Sequence, residues 1–102
     1  MLRYELSPAA LAELQEAADF LEDQSFELGD SLLDEVERVM QLLCRQPGMG
    51  SPVHMPGIPA GIRKMNLQRF RYSIVYRVQT DVVQVLAVAH SSRRPTYWAE
   101  RI

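Results

Sequence analysis

Apolar and polar residues alternate most clearly in the second half of the chain, where residues 69–78 read RFRYSIVYRV. Alternation with a period of two predicts a β-strand with one buried face. That face would carry Tyr72, Ile74, Tyr76 and Val78, and the opposite face Arg71, Ser73, Val75 and Arg77. The next run, Val82 to Ala89, is almost wholly apolar, which is typical of a strand covered on both faces. Gln79-Thr80-Asp81 predicts a three-residue turn that joins the two strands as an antiparallel hairpin.

The N-terminal residues predict a short strand followed by an amphipathic helix. Apolar residues alternate with charged ones from Leu2 to Leu6, as in a half-buried strand. Ser7 suits the N-cap and Pro8 the first position of a helix that would run to about Asp23. The apolar stripe of this helix consists of Leu11, Leu14, Ala18 and Leu21, flanked by Ala10 and Ala17.

A second helix is predicted from a cap at Ser25 to about Arg45, because Pro47 prevents its continuation. Its apolar residues at helical spacing are Leu32, Leu33, Val36, Val39, Met40 and Leu43. Gly29 is expected to weaken the first turns by roughly 1 kcal/mol relative to alanine. The short connection between the helices predicts that they form an antiparallel hairpin.

Residues 47–61 contain four prolines and four glycines, which predicts an irregular and poorly ordered connection. The segment from Ile62 to Leu67 then predicts another strand. The expected fold class is therefore α+β, with an N-terminal strand, a two-helix antiparallel hairpin, a three-stranded antiparallel sheet and a short C-terminal tail. The length of 102 residues predicts a single domain spanning residues 1–102.

Composition restricts the chemistry that the chain can carry. Hydrophobic residues make up 47% and charged residues 24%, which are ordinary values for a globular protein. The single cysteine, Cys44, excludes an intramolecular disulfide and falls in the apolar pattern of the second helix. His54 lies in the irregular connection without a partner ligand at regular spacing, so we expect no metal site and no cofactor. Because neither a signal peptide nor a membrane-spanning segment is evident, we expect a cytoplasmic protein without a membrane partner.

The net charge of −2 conceals a strong asymmetry between the two halves of the chain. Residues 1–50 carry eleven acids and three arginines, a net charge of −8. Residues 51–102 carry seven arginines, one lysine and two acids, a net charge of +6. Two interpretations remain open: a basic sheet that pairs with acidic helices inside one domain, or a basic surface for an anionic partner.

Basic and aromatic residues crowd the segment that follows the last predicted strand. The candidates there are His90, Arg93, Arg94, Tyr97 and Trp98. Arg93 and Arg94 adjoin Pro95 in a segment that we expect to be exposed, which favours contact with a partner for at least one of them. Trp98 and Tyr97 either contact a partner or fold back onto the core. His90 is either a general base or a residue hydrogen-bonded at the edge of the sheet.

The sequence resembles the ParE/RelE superfamily of bacterial toxins from toxin–antitoxin modules over nearly its whole length. The resemblance rests on four segments in order: YELSPAALAEL, LLCRQPGMGSP, RFRYSIVYRV and VLAVAHSSRRPTYWAER. The last of these carries the most weight. It is more similar to the ParE branch, whose members are often labelled plasmid stabilisation proteins.

The resemblance implies a partner, a ParD-like antitoxin whose flexible C-terminal segment wraps around the toxin, with oligomers formed only through that complex. For the ParE branch it implies inhibition of DNA gyrase by binding, without catalysis. The partner-binding candidates are Arg63, Arg71, Arg77, Arg93, Arg94, Tyr97 and Trp98. Arg71 and Arg77 share a strand face, and their alternative is pairing with the acids of the helices.

For the RelE branch the resemblance implies cleavage of messenger RNA on the ribosome. Such chemistry needs a general base or acid and cations around the scissile phosphate. The candidates would then be Arg63, Lys64, Arg71, His90, Arg93 and Tyr97. The single lysine and the overall acidity suit docking to a ribosome poorly, so the inhibitor hypothesis is preferred. A third hypothesis is an inactive relative that only binds its antitoxin.

Overall fold

The computed structural model describes residues 1–102 and has a five-stranded sheet with two helices against one face. Its regular elements are β1 (Arg3–Leu6), α1 (Pro8–Gln24), α2 (Leu28–Arg45), β2 (Ser51–Pro52), β3 (Arg63–Asn66), β4 (Tyr72–Gln79) and β5 (Val82–His90). Short 3-10 turns occupy Pro47–Met49 and Ala99–Arg101. The predicted α+β class is confirmed, although the sheet has one strand more than the sequence predicted.

The strand order is β1-β5-β4-β3-β2, so the predicted hairpin of β4 and β5 lies at the middle of the sheet. Strand β1 runs parallel to β5, and the other neighbours are antiparallel. The predicted three-residue turn is wrong: Gln79 pairs with Val82, which leaves a two-residue turn of Thr80 and Asp81. Thr80 has a φ of 56°, the positive value that tight hairpin turns require.

Strand β5 is covered on both faces, as its apolar run predicted. On one face Val83, Val85 and Val88 pack with the helices, while on the other Leu86 and Ala87 belong to a smaller cluster. The alternation of faces along β5 is interrupted where the consecutive residues Leu86 and Ala87 join the same cluster. The interruption arises because the pairing register shifts between Val75 and Tyr76 of β4. A bulge of this kind leaves one residue of the opposite strand unpaired and alters which face its neighbours occupy.

The start of α1 follows the prediction, since the Ser7 hydroxyl accepts the backbone N–H of Ala10 at 3.1 Å. The predicted cap of α2 at Ser25 is wrong, because Ser25 instead ends α1 and α2 begins at Leu28. The carboxylate of Glu22 provides the missing acceptors by binding the N–H groups of Glu27 and Gly29, each at 3.0 Å. A residue of the first helix therefore caps the second.

Gly29 has a packing role that its helix propensity did not suggest. A Cβ atom at this position would lie 2.5 Å from the carbonyl oxygen of Ala18, a backbone atom of α1. The two helices approach each other too closely here for any side chain. The buried alanines Ala10, Ala17 and Ala18 occupy the same packed side of α1.

The segment 47–61 contains more structure than its composition predicted. The hydroxyl of buried Tyr76 donates to the carbonyl of Pro47 at 2.6 Å and accepts the N–H of Gly50 at 2.9 Å. The Arg63 guanidinium donates to the carbonyls of Gly50 and Gly48, at 2.6 and 3.2 Å. These bonds hold the segment against the sheet, where residues 51 and 52 add the short edge strand β2. Neither helix has the length and hydropathy needed to cross a membrane.

Candidate partner-binding groove

A groove of about 330 Å³ runs over the sheet face that the helices leave uncovered. Lys64, Ser73, Val75 and Ala89 form its floor, where paired residues of β3, β4 and β5 point to the same side. One wall is the segment 51–55, which begins with β2. The other wall is formed by residues 91–98 of the C-terminal tail, which comprises residues 91–102. Every element of this site therefore comes from the second half of the chain, which carries the positive charge.

Three exposed cations converge on the groove, namely Lys64 from its floor and Arg93 and Arg94 from the tail. None of the three forms an ion pair, because the ion pairs of the chain are Arg3–Glu5, Arg38–Glu35 and Arg101–Glu13. An unpaired guanidinium offers a planar set of donors that matches a carboxylate or phosphate. The groove is therefore suited to anionic groups.

The predicted partner-binding and ribonuclease candidates divide into two groups in space. Those that line the groove are Lys64, His90, Arg93, Arg94, Tyr97 and Trp98. Arg63, Arg71 and Arg77 lie outside it. Arg63 holds the segment 47–61, as described above, and the Arg77 Nε donates to Gln84 of β5 at 2.8 Å. Arg71 is exposed, and neither Arg71 nor Arg77 pairs with an acid of the helices.

Trp98 folds back onto the core, which was one of the two alternatives left open by the sequence. Only 4% of it is exposed, and it belongs to the cluster that contains Ile62, Val75 and Leu86. Burying a side chain of this size stabilises the tail strongly. Trp98 therefore fixes the groove wall on which Arg93 and Arg94 stand.

Glu13 of α1 is the second anchor of the tail. Strand β1 covers the edge of β5 only as far as Val85, and beyond it the N–H of Val88 donates to Glu13 at 3.1 Å. The Tyr97 hydroxyl donates to the same carboxylate at 2.6 Å, and both terminal nitrogens of Arg101 donate at 2.8 and 3.1 Å. Arg101 also donates to the carbonyl of Leu86 at 3.1 Å. Glu13 of α1 and Arg101 of the tail thus satisfy the backbone groups of β5 that β1 leaves open.

These contacts shift the pKa values of their members. Burial raises the pKa of the Glu13 carboxyl, but hydrogen bonds from Arg101, Tyr97 and Val88 outweigh it, so the net pKa lies below its ordinary value. Burial, together with the hydrogen bond to Glu13, raises the pKa of Tyr97 to about 12. Tyr97 is therefore a neutral phenol whose proton is held by Glu13.

Two groove residues that could act as acids or bases are thus engaged within the chain. Tyr97 donates its proton to Glu13, and its ring supports the Arg93 guanidinium, whose central carbon lies 4.0 Å from the ring centroid. The Nδ1 atom of His90 accepts the N–H of Ser92 at 3.0 Å and contacts its hydroxyl at 2.8 Å. His90 also meets the Tyr72 ring edge-on. The hydrogen bonds of His90 therefore go to the turn that follows β5 and not into the sheet edge as expected.

Sequence reasoning missed Glu13 and Arg101. The two residues are 88 positions apart, and no spacing rule connects a helix near the start of the chain with a turn at its end. The available signal was the position of Glu13 beside the apolar stripe of α1, where an acid would be half-buried and would need a partner.

The fold and the groove define a small α+β protein with a cationic groove on one face of its sheet and two helices against the other. A solved structure with a similar fold is that of the chromosomal ParDE TA system from P. aeruginosa. That match has a TM-score of 0.62 and 21% sequence identity, and covers 88% of this chain and 96% of the other. The model of the family described as "ParE toxin of type II toxin-antitoxin system, parDE" matches residues 4–95. The chain belongs to this family. Comparison with curated proteins finds no match.

Proposed function

We propose that this chain inhibits DNA gyrase by binding to it, and that a cognate ParD-like antitoxin neutralises the chain. The observation that carries the proposal is the placement of Arg93 and Arg94. Both are exposed on a wall that Trp98 and Glu13 hold rigid, and neither is neutralised by an acid of the chain. Arginine is among the residues that dominate binding energy at protein interfaces. A preorganised cationic edge loses little side-chain freedom on binding.

The proposal that an antitoxin neutralises the chain rests on two surfaces, the groove and the helical hairpin of α1 and α2. The groove offers unpaired cations, and the helical hairpin leaves large apolar side chains at least 40% exposed: Leu11, Phe20, Phe26 and Leu33. A flexible segment that wraps around the chain can use both surfaces, because coupled folding and binding lets an extended peptide cover a large area. The solved structure that this chain resembles is the chromosomal ParDE TA system from P. aeruginosa.

The test is a supercoiling assay with purified gyrase and relaxed plasmid. The wild-type chain is expected to stop supercoiling, and the double variant Arg93→Ala/Arg94→Ala is expected to lose that inhibition while it keeps its melting temperature. The matched control is Arg38→Ala/Arg45→Ala, which removes the same charge from the exposed side of α2. Full inhibition by the folded Arg93/Arg94 variant would refute the tail as the binding surface.

A ribosome-dependent ribonuclease is the second candidate, because Lys64, His90 and Arg93 line the same groove. Its weakness is that the Tyr97 proton is already held by Glu13, so of the two acid–base candidates only His90 keeps an open position, its Nε2 atom. Message cut in the ribosomal A site, with gyrase unaffected, would favour this candidate. Unchanged growth on expression without antitoxin would instead indicate an inactive relative that only binds its antitoxin.

A further inference from the structure

We propose that Glu13 is a positioning residue that sets the location of the Arg93 guanidinium through the Tyr97 ring. The inference rests on the proposed function, since it assigns Glu13 a part in partner binding although Glu13 lies on α1. It goes beyond that function because it places a residue that controls partner binding, Glu13, in the acidic first half of the chain.

The first step concerns the hydrogen bonds that the Glu13 carboxylate accepts. Its side chain is 14% exposed, and both of its oxygens are occupied by donors from three different residues: Val88, Tyr97 and Arg101. Val88 belongs to the part of β5 that β1 leaves uncovered, whereas Tyr97 and Arg101 belong to the tail. The carboxylate therefore fixes the tail relative to β5 from two sides, and charge-assisted bonds of this kind are the strong ones.

The second step leads from Tyr97 to Arg93. The Tyr97 ring lies between two guanidinium groups, with Arg93 at 4.0 Å and Arg101 at 5.1 Å from its centroid. Because Arg93 makes no ion pair, this ring is the contact that orients its cation. A rotation of Tyr97 away from Glu13 would remove the face on which Arg93 lies. Arg94 makes no comparable contact and should be unaffected by such a rotation.

The experiment compares Glu13→Gln with Asp19→Asn, which changes an exposed acid of the same helix that forms no ion pair and lies outside the cleft between Glu16, Arg93 and Tyr97. Protons that lie over an aromatic face are shielded, so the Arg93 side-chain resonances of the wild type are expected upfield by NMR. Glu13→Gln should remove this shielding and Asp19→Asn should keep it. Retained shielding in a folded Glu13→Gln variant overturns the proposal. If that variant does not fold, Tyr97→Phe tests the same link by deleting only the hydroxyl.

The functional arm is a double-mutant cycle in the gyrase assay. Glu13→Gln and Arg93→Ala should each weaken inhibition by about threefold to tenfold, the range that a partly exposed cation–π contact supports. The double variant should be no weaker than Arg93→Ala alone. Losses that simply multiply would overturn the proposal, because Glu13 would then act independently of Arg93. If the wild type leaves gyrase active, the proposed function fails, whereas the NMR comparison still decides whether Glu13 positions Arg93.

Discussion

The Tyr76 hydroxyl supports one wall of the groove, and its removal gives a sharp test of that role. Tyr76 is fully buried, and its oxygen joins the carbonyl of Pro47 to the N–H of buried Gly50. Tyr76→Phe removes both bonds and creates no large cavity. Each lost bond costs about 1 kcal/mol, and leaving a buried N–H without an acceptor adds about 1–2 kcal/mol. The expected total is about 3–4 kcal/mol of unfolding free energy.

For a chain of this length, a loss of about 3–4 kcal/mol corresponds to a fall in melting temperature of about 12–32 °C. Thermal and urea unfolding followed by circular dichroism would measure it. The matched control is Tyr72→Phe, on the same strand and the same face, because the Tyr72 hydroxyl has no hydrogen-bond partner within the chain. We expect the control to change stability by less than about 0.5 kcal/mol. Equal losses in the two variants would refute the assignment of the Tyr76 hydroxyl as the support of residues 47–52.

Two further predictions concern the packing of the two helices and the loss of stability at acidic pH. Gly29→Ala should destabilise the chain by about 1–3 kcal/mol despite alanine's better helix propensity, since its Cβ would lie 2.5 Å from the Ala18 carbonyl oxygen. Urea unfolding checks this, with Gly48→Ala as a nearly neutral control because a Cβ there meets nothing within 4 Å. The pKa of Glu13 is lower in the folded state than its ordinary 4.5, so its contribution should be complete above about pH 4.5 and disappear as pH falls through the folded pKa. Melting temperatures between pH 3 and 7 should therefore fall less steeply for Glu13→Gln; identical slopes would contradict this assignment.

Most of the fold could be predicted because the sequence patterns of its helices and strands involve residues that are close together along the chain. The Ser7 cap, the end of α2 before Pro47 and the paired strands β4 and β5 all follow from patterns within a few positions. Ser25 failed as a cap because Glu22 of the preceding helix supplies the acceptors. That contact depends on how two helices pack, which a window of local sequence does not contain.

The site was predicted less completely, for the same reason. The exposed position of Arg93 and Arg94 followed from their place beside Pro95, whereas the contacts of Arg63 and Arg77 depend on which strands become neighbours. The short strand β2 was missed because Ser51 and Pro52 have no β-forming pattern of their own. They pair with β3 after Tyr76 and Arg63 have fixed the preceding residues, up to Gly50, by hydrogen bonds. Composition alone therefore indicated an irregular segment.

The distribution of charge distinguishes between the two interpretations that the sequence left open. If the basic half existed to neutralise the acidic helices, ion pairs would join the two halves, yet Arg101–Glu13 is the one such pair. The other two pairs, Arg3–Glu5 and Arg38–Glu35, lie within the acidic half itself. The cations of the groove thus remain available on one side of the sheet, and most of the acids lie on the helical side. A field with opposite signs on opposite sides orients an approaching partner before contact. An anionic partner is therefore expected to meet the groove before it makes any contact with the helical hairpin.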